Sequence, residues 1–292
     1  MLRNVIAFVA VATAAPLAAE PIEVLPTGHP IAMVQVEGRG PYQFIIDTGA
    51  SNTNLLPRLR AQLPELTRRD ARRPLNGAGG AVETETVKLG RLTAHGHTFL
   101  DLPAFVLPAG PVDELGVDGV LGADILSTYA MEIDIPGRRW SLAERPTPAM
   151  VRGMLPAVPI TLDEARAPRL TVMINGRPVP ALLDTGARGT IIINWAAARL
   201  IGIAPDDPRL TSGGAAKGVT ARATSMKAAV VDELRIGDYA RSTPKLHIAD
   251  LPIFEAIGMA DGPAVLLGID AFAERRFVID HAGGRLLIAA AR

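Results

Sequence analysis

The chain of 292 residues contains no cysteine. That excludes disulfides, a thiolate nucleophile, zinc held by thiolates and any lipid attached through cysteine. Neither sign of charge is in excess: 30 basic residues face 30 acidic ones, with no long Lys/Arg block. Nothing here suggests a nucleic-acid partner. Beyond the N-terminus no apolar run approaches the ~20 residues of a membrane helix. The pieces of other chemistries are also incomplete. Gly-rich stretches lack the Gly-Lys-Ser/Thr of a phosphate loop. Ser212 lacks the strand-Ser-helix setting of a hydrolase elbow. His95 and His97 have no nearby third ligand, so they read as part of a surface loop and no metal is expected. No cofactor is implied.

What is present begins at the N-terminus. Arg3 precedes VIAFVAVATAAPLAAEP, a basic residue, a short apolar stretch and then small residues. This is the pattern of a secretory signal peptide over residues 1–19, with cleavage expected after Ala19. Thr13 and Pro16 interrupt the stretch. A secreted or periplasmic protein is expected. The alternative is an uncleaved N-terminal membrane anchor.

The rest of the chain is one unit written twice. Residues 31–50, IAMVQVEGRGPYQFIIDTGA, parallel residues 170–187, LTVMINGRPVPALLDTGA. Residues 118–142 parallel residues 263–288: each has an apolar run into Gly, an acidic residue, an alternating strand ending in Ile-Asp, a Gly turn and a last strand. The Pro-rich stretch 144–159 reads as a linker. Two similar lobes follow, at about 22–147 and 155–292. Short β-branched segments bounded by Gly or Pro predict an all-β protein with few short helices. Helices are expected near 55–63, 195–201 and after Gly122 and Gly268. Hairpins are expected around Gly77–Gly80 and across 211–221.

Both copies of the unit carry Asp-Thr-Gly-Ala directly after an apolar strand, at Asp47 and at Asp184, and extend to Asp-Thr-Gly-Ala-x-x-Thr through Thr53 and Thr190. A lone Asp-Thr-Gly would read as a turn. Two copies in register suggest two halves of one site. A strand delivers each carboxylate from a rigid element. Gly49 and Gly186 permit tight bending and close approach. Thr48 and Thr185 supply hydroxyls able to hold the opposite loop. Two carboxyls brought together cannot both ionise easily, so they share a proton and take different roles at one pH.

These residues, IIDTGAS with GVLGAD and LLDTGAR with VLLGID, resemble the hallmark pairs of the retropepsin-like aspartic proteases, a group of retroviral and pepsin-like enzymes. The resemblance spans nearly all of the chain after residue 22. It implies two β-barrel lobes in one chain, working as a monomer. It implies Asp47 and Asp184 as the catalytic pair around a water, Thr48 and Thr185 as cross-links, and Gly49 and Gly186 as points of close approach. The hairpins near 77–80 and 213–218 become flaps over a peptide or protein substrate. There are departures. Neither hairpin has a Tyr at its tip. Ser51 in one half faces Arg188 in the other, and Arg188 is expected to pair with Asp124 or Asp270. The expected function is an exported aspartic endopeptidase. The alternative is a peptide-binding protein of the cell envelope that keeps the cleft and has lost turnover.

Overall fold

The computed structural model describes residues 17–67, 72–77, 80–187, 191–216, 223–272 and 275–291. Regular structure is mostly strand, in two barrel-like lobes joined by a shared sheet. The expected short helices form at Pro57–Gln62, Trp195–Leu200 and Ala123–Leu126, with a 3-10 turn at Ile269–Phe272. Asn194 caps its helix by accepting the Ala197 N–H at 2.9 Å, which satisfies one orphan donor of the first turn.

Each lobe opens with a hairpin in which inward and outward residues alternate. In the first, Pro30–Val36 pairs antiparallel with Arg39–Ile46; in the second, Pro168–Ile174 pairs with Arg177–Asp184. The alternation buries Phe44 and Ile46, or Ala181 and Leu183, in the main core. A third strand then crosses behind. Gly119–Leu121 lies parallel to Arg39–Ile46 and antiparallel to Asn54–Leu55. Val265–Gly268 does the same between Arg177–Asp184 and Ile191–Ile193. The loop between the two arms must therefore arch over the crossing strand. Gly122 is the tightest point: a Cβ there would sit 2.4 Å from the Asn52 carbonyl carbon, so no side chain fits.

The lobes meet in a six-stranded sheet to which both contribute. Its centre pairs Ala130–Asp134 of the first lobe antiparallel with Arg276–Asp280 of the second. Glu20–Pro21 forms one edge and Val158–Pro159 the other. The segment read as a linker contributes that edge strand and a short helix, Pro148–Val151, capped by Thr147. At the seam Arg276 pairs with Glu132 at 2.6 Å and also donates to the carbonyls of Ala149, Met150 and Arg152. Among the described residues no helix is long and apolar enough to cross a membrane.

The flanking hairpins differ. Arg73–Gly77 and Gly80–Thr84 form a separate two-stranded sheet, whereas Thr211–Ala216 and Thr224–Val230 continue the second barrel. Residues 78–79 and 217–222, where the expected flap tips fall, lie outside the described residues.

Candidate active site

The backbone delivers Asp47 and Asp184 to one place. Asp47 follows Ile46 at the end of its strand, and its N–H donates to the Leu121 carbonyl at 3.1 Å. Asp184 ends its own strand, opposite Gly268 in the parallel register. The two Thr residues interlock the loops. The Thr48 hydroxyl donates to the Leu183 carbonyl at 2.8 Å and accepts the Thr185 N–H at 3.1 Å. The Thr185 hydroxyl donates to the Ile46 carbonyl at 2.8 Å and accepts the Thr48 N–H at 3.0 Å. Both Thr residues are buried, so each of these bonds replaces water that cannot reach it. The residues just before each Asp are thus tied to the opposite lobe.

Within each loop one carboxylate oxygen is occupied. Asp47 Oδ1 accepts the N–H groups of Gly49 and Ala50 at 2.8 and 2.9 Å. Asp184 Oδ1 accepts those of Gly186 and Ala187 at 2.9 and 2.8 Å. The rings so formed orient both carboxyls alike. A Cβ on Gly49 would lie 2.5 Å from Asp184 Cγ, and one on Gly186 would lie 2.2 Å from Asp47 Cγ. Each glycine is therefore the surface against which the opposite carboxyl packs.

The carboxyls share a hydrogen bond with each other. By exposed area both residues are only half-buried, although protein surrounds the carboxyls on nearly every side. The surrounding protein governs their ionisation, because it excludes the water that would solvate a second charge. Burial pushes Asp47 above the ordinary carboxylate range, opposed by the hydrogen bonds it accepts from Asp184, Ala50 and Gly49. Burial and then the negative charge of Asp47 push Asp184 well above it. Burial and mutual repulsion make the pair hold one proton between them, so one carboxyl can donate while the other accepts. Such a pair can take a proton at one oxygen while giving one from the other.

Behind the first loop, the buried Thr53 hydroxyl donates to Asp124 Oδ1 at 2.9 Å and accepts the Gly122 N–H at 3.2 Å. This ties the far arm of the loop to the crossing strand. Thr190 and Arg188 lie outside the described residues, and so does the expected pairing of Arg188 with Asp124 or Asp270. Both acids feel other arginines. Burial raises the Asp124 carboxyl against the charge of Arg166 from the second lobe, and raises Asp270 against Arg241.

The His pair corrects an expectation. His95 is buried, not part of a surface loop, and its ring lies edge-on to Trp140 at 5.4 Å. His97 is half-buried against Tyr129. The apolar neighbours of the interlobe sheet lie beside their turn, which its local sequence does not reveal. Among the described residues no group of three His, Cys, Asp or Glu could hold a metal.

Sequence reasoning missed the Glu132–Arg276 seam that holds the lobes in register. A signal was present in the repeated Asp-x-x-Gly-x-Arg of Asp134–Arg139 and Asp280–Arg285. In both turns the Asp accepts the Gly N–H and pairs with the Arg. Size does not locate the site: grooves of about 450 Å³ by Pro159 and Arg169, and 300 Å³ by Gly90 and Arg91, touch neither Asp. The carboxyl geometry does.

Residues 32–125 and 170–271 both match the family model described as Aspartyl protease. The chain belongs to the aspartyl protease family. Each match contains one Asp-Thr-Gly loop and the strand that crosses behind it, so the family's unit is present twice. A solved retropepsin-like aspartic protease from Rickettsia conorii is similar at 17% identity with a TM-score of 0.34, over 47% of this chain and 93% of that one. No curated protein matches the chain.

Proposed function

We propose that this aspartyl protease family member is an exported endopeptidase that hydrolyses peptide bonds between its two lobes. Asp47 and Asp184 are its catalytic pair. One observation carries the reading: two carboxyls in hydrogen-bonding contact, oriented alike and locked across the lobes by Thr48 and Thr185. A water placed between the carboxyls loses a proton to ionised Asp47 as its oxygen attacks the peptide carbonyl carbon. Protonated Asp184 gives its proton to the carbonyl oxygen. The tetrahedral diol then collapses as the proton on Asp47 passes to the leaving nitrogen, the C–N bond breaks, and a diol proton returns to Asp184. The carboxyls thereby regain their starting protonation. The chain supplies both carboxyls, so a monomer suffices. Substrate is a peptide or protein, and the N-terminal signal-like pattern is what supports a periplasmic or secreted location.

The test incubates protein beginning at Glu20 with a mixed peptide library from pH 3 to 8, and reads cleavage by mass spectrometry. Asp47→Asn and Asp184→Asn run beside it. Cleavage that disappears in both variants supports the pair. Cleavage that survives either removes that Asp from the mechanism. Peptide binding without cleavage by the parent supports the non-catalytic alternative.

A further inference from the structure

The faces beside the two carboxyls carry information about substrate. Along each strand alternate residues point to opposite sides. Ile46 and Leu183 enter the main core, while Ile45 and Leu182 point to the side on which the following Asp emerges. Their partners on the crossing strands, Val120 and Leu266, share that side. These four residues form an apolar floor on the strands that lead into the dyad and cross behind it, and an open pocket there would leave them accessible. They are instead closed over, with exposures of only 3, 2, 4 and 4% for Ile45, Leu182, Val120 and Leu266.

The covers belong to the protein itself. In the first lobe Ile31, Leu56, Leu107 and Val117 complete the cluster, with Leu75 and Leu115 packed on it. In the second lobe the helix Pro252–Ala256 supplies Phe254, beside Leu251 and Met259. Phe254 is itself 2% exposed. The same helix packs against the strand Arg73–Gly77 of the opposite hairpin, so it is braced from both lobes. Ala50 and Ala187, which follow the two glycines of the site, pack on these clusters and join them to the catalytic loops.

An extended substrate sends the two side chains flanking its scissile bond to opposite sides. We propose, on the reading of the site given above, that this protein selects small residues such as Gly, Ala or Ser on both sides of the bond it cleaves. Phe254 is the specificity-determining residue on the second-lobe side. A bulky side chain would have to displace packed groups of the protein, whereas a small one needs no pocket.

The test compares two peptide sets with matched flanks, one with Ala-Ala and one with Leu-Phe at the central pair. Parent protein is expected to favour Ala-Ala in kcat/KM by about tenfold or more. Phe254→Ala, and the milder Phe254→Leu, should raise the bulky peptides about tenfold when the large residue occupies one of the two positions, and leave the other position unchanged. Phe277→Leu, in the main core, controls for lost stability and should leave the preference unmoved. Calorimetry of the same peptides on Asp184→Asn, with and without Phe254→Ala, reads preference without turnover. Equal cleavage of both sets by the parent overturns the inference and leaves the endopeptidase standing. No cleavage, with Ala-Ala peptides bound about tenfold tighter and Phe254→Ala erasing the gap, upholds the selection of small side chains beside the carboxyls and sinks the endopeptidase and the cleaved bond with it. Equal binding of both sets, or binding of neither, overturns the inference.

Discussion

The two lobes agree where their Asp-Thr-Gly loops interlock and differ in the scaffold around that centre. The Thr48 and Thr185 bonds match to 0.1 Å, and so do the bonds closing the two Asp loops. Around that shared centre the scaffolds diverge. The first lobe anchors its loop with Asp118, which accepts from the Gln43 N–H and from Arg58. The second uses Asn194, which accepts the N–H groups of Ala197 and Ala264 and donates to the Gly262 carbonyl. The first carries a detached hairpin and a 3-10 turn at Asp113–Leu115; the second carries a hairpin continuous with its barrel and the helix Pro252–Ala256. A part that must meet its own copy is held to one geometry, because a shift in one breaks bonds in the other. A part that does not meet its own copy is free of that constraint, as where the helix Pro252–Ala256 of one lobe packs on the strand Arg73–Gly77 of the other.

Breaking the symmetry at the carboxyls should have the largest effect. Asp47→Asn and Asp184→Asn should each lower turnover by at least about a thousandfold, because the two act as a unit. A variant keeping a tenth of the parent activity would show that the halves are not equivalent. Gly186→Ala should come next. Its Cβ would lie 2.2 Å from Asp47 Cγ, so the loops must part. Cleavage should fall below detection, with about 1–3 kcal/mol of stability lost in urea melts. Gly49→Ala should follow it closely.

The cross-lobe bonds offer a sharper comparison. Thr48→Val and Thr185→Val each strand a buried N–H and a buried carbonyl in the other loop. Each should cost roughly 2–4 kcal/mol by denaturant unfolding, and the two costs should be alike. The double variant should cost less than their sum, since both remove one network. Full additivity would mean that the two halves of the grip act independently. Arg276→Met should cost roughly 1–3 kcal/mol, since Glu132 and three carbonyls lose one donor.

The smallest expected effect is on the pH dependence of stability. The Asp184 carboxyl binds its proton more readily in the fold than in the unfolded chain. The fold is therefore favoured in acid. That advantage fades as pH rises from the ordinary value of 3.8 through the raised one. Asp184→Asn cannot ionise, so it should melt above the parent at pH 7, by roughly 2–4 °C for each kcal/mol relieved. The gap should close below about pH 4. A variant that melts below the parent at pH 7 would contradict the raised affinity of Asp184 for a proton.

Amino-acid order alone carried the duplication, the β class and the candidate pair Asp47 and Asp184. Asp-Thr-Gly-Ala after an apolar strand is a local pattern, and its second copy in register turned a common turn into half of a site. The short helix Trp195–Leu200 was legible from Asn194 before it, whereas Pro148–Val151, capped by Thr147, lay hidden in a Pro-rich stretch that reads as a linker. Other features were not local. Helix Pro252–Ala256 has no side-chain cap and only five residues, so its existence depends on packing Phe254 onto the second-lobe cluster. His95 looks like a turn residue until the sheet beneath supplies Trp140. Glu132 and Arg276 lie 144 positions apart and meet only because two hairpins pair across the lobes. Tertiary structure also made the two carboxyls one ionising unit. The two loops make the same local bonds, and only burial together and the action of each charge on the other raise both carboxyls above their ordinary range.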